Sequence, residues 1–179
     1  LNFWDSKAET FNGLNLSILS SAQYANGIRL GIFMSDDSIC NGLSVGCIGT
    51  GAFRMNGIAL GGLAVLAKSR FNGLGISGFV MAADTMNGLF ISIIGSITPN
   101  KEFIKFISKI NGVSVGIFCG VNCYELNGLS LGFNNVTKIQ NGIVIGILNK
   151  SAELHGIQFG IWNVAENNRI FKKTPIINF

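Results

Sequence analysis

The chain is short of charge, proline and histidine, and it has no long hydrophobic run. Only 12% of its 179 residues are charged, about half the usual fraction. The 13 Lys and Arg and 9 Asp and Glu give a net charge of +4. Nucleic-acid recognition wants a basic stripe interleaved with aromatics, and only Lys172-Lys173 and one short lysine row gather positive charge. Nucleic acid is not an expected partner. Gly, Ser, Asn or a charge interrupts every apolar stretch before 18 residues, which excludes a transmembrane helix. The 2 prolines and 48% hydrophobic content do not suit a disordered low-complexity chain.

Chemistry-bearing residues are equally sparse. The four cysteines, Cys40, Cys47, Cys119 and Cys123, form no CxxC pair. CxxxC without a nearby histidine is a weak metal signal, so all four are expected as small buried hydrophobes. Asp36-Asp37 reads as an exposed turn, and no second carboxylate pair at fixed spacing supports general acid–base work. Calcium-roll motifs of the GGxGxD type are absent, as are the flat threonine rows that ice binding needs. No enzyme activity, cofactor or metal is expected. The chain begins at Leu1 without a basic, hydrophobic, small-residue leader, so an exported protein would here lack its signal peptide.

What the sequence has in abundance is repetition. Asn-Gly recurs at Asn12, Asn26, Asn41, Asn56, Asn72, Asn87, Asn111, Asn127 and Asn141, and His155-Gly156 takes the tenth place. The spacings are 14, 15, 15, 16, 15, 24, 16, 14 and 14 residues, so one insertion interrupts a regular period. Each unit reads N-G-Φ-x-Φ-(G/S)-Φ-Φ, with Φ apolar. Its third and fifth positions are apolar throughout, from Leu14 and Leu16 to Ile157 and Phe159. Alternation with a period of two predicts a strand with one buried face, and these two columns are expected to fill it. The fourth position (Ala59, Gly75, Phe90, Val144) and the eighth (Phe33, Leu63, Phe79, Trp162) are then expected outside, unless the eighth rounds a corner into the core. The sixth is never larger than Ser, and 17 of the 24 glycines fall in the second and sixth columns. Such a column implies a close backbone approach or a sharp bend. Most units also return to an apolar residue just before Asn (Cys40, Met55, Phe71, Met86, Ile110, Leu126, Leu154), expected to point inward.

Two architectures suit this unit. In a parallel β-solenoid each copy is one coil and like residues stack about 4.8 Å apart. In an antiparallel meander each copy is one strand and Asn-Gly is a hairpin turn. Stacking explains why every copy wants the same asparagine, since a column of amides can form a ladder. A barrel would alternate strand direction and break up the level apolar band that a membrane requires. The expected fold is therefore all-β, a parallel β-solenoid of about ten coils of 14–16 residues with one short helical insertion. The alternative is an antiparallel β-meander closed as an outer-membrane β-barrel, for which the terminal Phe179 speaks.

The expected organisation is a single repeat domain over 1–179. A cap over 1–10 precedes coils one to six over 11–97. An insertion over 98–110 precedes coils seven to ten over 111–165, and a second cap covers 166–179. In the insertion, TPNKEFIKFISKI, Pro99 behind Thr98 suits a helix start. Phe103, Phe106, Ile107 and Ile110 fall on one face, with Lys101, Lys105 and Lys109 on another. That pattern predicts a short basic amphipathic helix, either packed over the rod or lying in a membrane or partner interface. His155 is the lone histidine and is expected as a substitute in the asparagine ladder rather than as a general base.

Units such as NGIVIGILN (141–149) and HGIQFGIWN (155–163), closed by a Pro-Ile-Ile-Asn-Phe tail, resemble the bacterial surface-repeat family of Gram-negative bacteria. The likeness runs from about residue 11 to the end. Middle copies depart from it where the asparagine after the apolar strand becomes Gly49, Val80 or Gly95. The resemblance implies an exported protein at the outer membrane or cell surface. It brings no catalytic residue to transfer. Its expected role is a non-enzymatic scaffold that docks a partner protein or the membrane; the alternative is a small outer-membrane barrel with a structural or pore role.

Overall fold

A computed structural model describes residues 8–18, 22–32, 37–97, 109–118, 120–170 and 172–179. They form one sheet of twelve strands. In chain order these are β1 (Ala8–Ser17), β2 (Ala22–Gly31), β3 (Asp37–Gly46), β4 (Gly49–Gly61), β5 (Ala64–Ser77) and β6 (Val80–Ser92), then β7 (Gly95–Ile97), β8 (Lys109–Gly116), β9 (Gly120–Gly132), β10 (Asn134–Ile145), β11 (Leu148–Ala165) and β12 (Lys173–Asn178).

Every pairing from β1 to β11 is parallel and in repeat register. Asn12 lies on Asn26, Gly13 on Gly27 and Leu14 on Ile28, and the correspondence persists to Asn141 on His155 and Ile143 on Ile157. Corner amides continue the stack, as where Cys47 N donates to Gly31 O and Gly62 N to Gly46 O, both at 3.0 Å. The fold is the expected parallel β-solenoid. Its strand directions overturn the meander and barrel alternative, because a parallel neighbour needs a whole coil to return, not a hairpin. One pairing is antiparallel: β12 runs back along β11, with Phe159 opposite Ile177.

From Gly27 onward, glycine in the second column is dictated twice over. Gly88, for example, has φ +134°, and a Cβ there would collide with the carbonyl of Gly73 one coil away. An L side chain would meet both backbone strain and a hard steric limit.

The insertion divides one coil without disturbing the stack. β7 and β8 both pair with β6 and β9, and Asn111 remains in register between Asn87 and Asn127. The expected helix over 98–110 is corrected at its end, where Lys109 and Ile110 open β8 as strand. Backbone pairing to β6 and β9 fixes them there. Its earlier residues, including Lys101, Phe103, Lys105, Phe106 and Ile107, lie outside the described residues.

The interior changes character along the rod. In the middle coils it is apolar, built from Val65, Phe71, Met81, Met86, Phe90, Ile110, Val121 and Leu126. The Phe71 and Phe90 rings meet edge to face with centroids 5.1 Å apart, a favoured aromatic arrangement. Towards β11 it becomes polar, with Ser130, Asn135, Thr137, Gln140, Asn149, Ser151, Gln158 and Asn163 all buried.

Candidate docking face

The apolar residue that closes a unit points inward, as expected: Cys40, Met55, Phe71, Met86, Ile110, Leu126 and Leu154 are buried. On a strand, residues an even number apart share a face. Met55 therefore carries Gly57, Ala59 and Gly61 inward and sends Asn56, Ile58 and Leu60 out. The structure follows this parity: Ala59 is 1% exposed and Ile58 43%. The expectation that the third and fifth columns fill the core is thus corrected, and so is the outward placement of the fourth. Arg29, Ser44, Ala59, Gly75, Phe90, Ser114, Ser130, Val144 and Gln158 all lie inside. There they face the second half of the coil, as where Ser44 and Thr50 hydroxyls bond across the interior. Their sizes vary because each fits a different neighbour. A Cβ at Gly75 would run into Met81 and Phe71, while one level on the space is filled by Phe90.

The consequence is a sheet face covered with apolar side chains turned outward. Leu14, Ile28, Ile58, Leu89 and Ile143 are exposed in the third column, and Leu16, Leu30, Ile76, Ile145 and Phe159 in the fifth. The eighth position rounds the corner outward, not into the core: Leu63, Phe79, Phe118, Leu148 and Trp162 are exposed. Between each Asn-Gly and its corner no residue is Asp, Glu or Lys, and the single Arg, Arg29, is buried. In three successive coils the sixth-column glycines Gly116, Gly132 and Gly146 floor a groove of about 330 Å³. Val115, Leu131 and Ile145 wall it on one side, and Ile117, Phe133 and Ile147 on the other.

Among the described residues, exposed charge lies on the other half of the coil and at the ends. Arg54, Lys68, Arg70, Lys138, Lys150 and Glu153 are exposed there. Lys109 pairs with Glu125 at 2.7 Å and Lys150 with Glu166 at 3.1 Å. The hydrogen bond from Lys109, joined by one from Asn127, holds the Glu125 carboxyl below its ordinary pKa. Of the expected contact residues, Lys109 is partly exposed and paired with Glu125, and Ile110 is fully buried.

The asparagine column forms the expected ladder along the edge of the apolar face. Asn26 Nδ2 donates to Asn12 Oδ1 at 2.9 Å, and Asn41, Asn56 and Asn72 each repeat the bond to the asparagine before them at 2.7–2.8 Å. Asn87 and Asn111 do so at 2.6 Å, and Asn127 and Asn141 at 2.7–2.8 Å. His155 stands in register over Asn141 and is exposed; the run of amide-to-amide bonds stops below it.

A second ladder, inside the rod, was not anticipated. Asn135 Nδ2 donates to Asn149 Oδ1 at 2.9 Å, and Asn149 Nδ2 to Asn163 Oδ1 at 2.8 Å. Gln158 Nε2 reaches Gln140 Oε1 at 2.9 Å and Ser151 Oγ at 3.0 Å. Its signal was the ninth-position asparagine of the last copies, which had served only to mark a resemblance.

Of the cysteines, Cys40 and Cys123 are buried as expected, and Cys47 is exposed. It occupies the seventh, outward column, which corrects its reading as a buried hydrophobe; Cys119 lies outside the described residues. Burial raises the Cys40 thiol pKa and pushes that of Cys123 up to about 12. Among the described residues no group of three His, Cys, Asp or Glu side chains could hold a metal ion.

No family model, curated protein or solved structure matches the chain.

Proposed function

We propose that this chain is a non-enzymatic β-solenoid scaffold of the cell surface or outer membrane that docks a partner through its apolar sheet face. The observation that carries this reading is the charge-free face itself. Monomeric soluble proteins rarely expose contiguous apolar patches beyond a few hundred Å², and larger ones mark interaction sites. Ten stacked levels at about 4.8 Å give a length of roughly 45 Å, and the five residues from the third to the seventh column span about 16 Å, so the face covers roughly 700 Å². The resemblance of the repeat to the surface-repeat family supports the location. The role is passive: the rod holds a flat apolar surface rigid on a continuous parallel hydrogen-bond ladder, while the charged half keeps the opposite side in water.

The test is fractionation of cells expressing the wild-type chain or the double variant Ile58→Lys, Leu89→Lys. Both side chains point outward, so the far-UV circular dichroism should be unchanged. Wild type should be retained with the envelope and the variant released. Equal retention of the two folded chains would sink the reading.

A further inference from the structure

The face has the dimensions and chemistry of half a homodimer interface. We infer that two copies of this chain pack face to face through their apolar sheets, related by a twofold axis normal to the rod. The inference rests on the docking reading above and names its occupant.

Area is the first argument. A stable interface of standard size takes about 800 Å² from each partner, and the face offers roughly 700 Å² before its corner residues are added. Composition is the second. Transient interfaces are about as polar as the rest of a protein surface, whereas homodimer interfaces are more apolar and depleted of charge at their centre. Here no outward side chain between Asn-Gly and the corner is charged in any of the first nine copies, and the tenth adds only His155 in the asparagine column.

Geometry is the third. Two flat sheets can pack face to face about 10 Å apart, their side chains interleaving as in a sandwich. The face supplies both ridges and a trough. The apolar columns project, and the glycine-floored groove across Gly116, Gly132 and Gly146 is open to receive a column of another copy. A twofold operation brings the ridge of each chain to the same surface of its partner, which closes the assembly at two.

A lipid surface fits less well. Surfaces that lie in a bilayer are rich in Lys and Arg on their polar side. The charged half of this rod mixes signs and spends some of its cations in the pairs Lys109–Glu125 and Lys150–Glu166. The rim beside the apolar columns is a neutral asparagine ladder, without a lysine to reach a headgroup.

The experiment is sedimentation equilibrium of the purified full chain at micromolar concentration in detergent-free buffer. Wild type should sediment at twice the chain mass. Ile76→Glu places a carboxylate near the middle of the face and should weaken self-association at least about a hundredfold, the scale of a central hot-spot loss. Leu89→Gln is a milder variant at the neighbouring outward position, should Ile76→Glu fail to fold, and it should shift the equilibrium the same way. Lys68→Glu, on the charged half, should leave the dimer intact. A monomeric wild-type chain overturns the inference. So does a dimer that persists in both face variants with native circular dichroism. If wild type is monomeric but floats with phosphatidylcholine vesicles, the occupant is lipid, the second copy is ruled out, and the docking reading survives. A face-dependent dimer in a chain whose envelope retention ignores the face would uphold the second copy as occupant and confine the failure to the envelope location.

Discussion

Asn149 and Asn163 share a hydrogen bond of 2.8 Å in the interior of the rod, one coil apart and both fully buried. Asn149 also accepts from Asn135 and donates to the Phe159 carbonyl, so its amide is used on both sides. A buried polar group left without its partner costs about 1–3 kcal/mol. Asn149→Ala strands Asn163 Oδ1 and takes one acceptor from Asn135 Nδ2, which keeps the Gly132 carbonyl, and should destabilise its coils by about 2–3 kcal/mol. Asn72→Ala removes two bonds of the outer ladder, but water can replace them at the surface, and the expected cost is about 1 kcal/mol. Solenoid coils respond locally, so amide hydrogen exchange in the flanking strands is the measurement. Equal loss of protection in the two variants would contradict the distinction drawn between inner and outer ladders.

The thiols should separate by depth. Only the thiolate reacts, and raising Cys123 from 9.0 to about 12 lowers its thiolate fraction roughly a thousandfold. Cys47, exposed at a corner, should take a maleimide quickly in the native protein. Cys40 and Cys123 should label only after denaturation. Mass mapping of labelled peptides reads this directly, and rapid native labelling of Cys123 would mean the interior opens.

Glu125 gives the stack a modest pH dependence. Its folded pKa is depressed, first by the Lys109 hydrogen bond. The folded state therefore binds this proton less readily than the unfolded chain does. The resulting stability is present above the ordinary carboxylate range and is lost as pH falls through the folded value. Both side chains are partly exposed, 38% and 24%, so the pair should contribute less than about 1 kcal/mol. Thermal midpoints of wild type and Glu125→Gln should differ at neutral pH and converge on acidification. A gap that widens in acid would reverse the assignment.

The period of the repeat was legible because one coil is one structural unit: Asn over Asn and Gly over Gly is visible as spacing alone. The direction of the strands also followed, since only in-register stacking rewards an identical amide at every level. The facing of the strand did not follow from the apolar columns. Uniform Leu and Ile at the third and fifth positions look like core, while the mixture of Arg29, Ser44, Gly75, Phe90 and Gln158 at the fourth looks like surface. The decisive clue was parity. Met55 and Ile58 are three apart on one continuous strand and cannot both point inward. The insertion was legible as a break in spacing, but its last residues obey the stack rather than their helical periodicity, since Ile110 is the inward residue before Asn111. An outward apolar strip was expected, but in the fourth and eighth columns; the third and fifth were misplaced because hydrophobicity alone does not say which way a side chain points.

The antiparallel β12 bears on what the rod can become. A parallel stack with amides in register is a template, and an uncovered final level would invite another chain to continue it. Near that end Asn167 spends its side-chain amide on both backbone groups of Leu154, at 3.0 and 3.1 Å. Glu166 and Asn167 amides take the carbonyls of Ser151 and Ala152, and β12 runs against the grain over Gln158 to Val164. A newcomer at this tip would find its seats occupied by strand and side chain in the wrong polarity. In-register parallel stacking on β11 is thereby closed off over Gln158 to Val164.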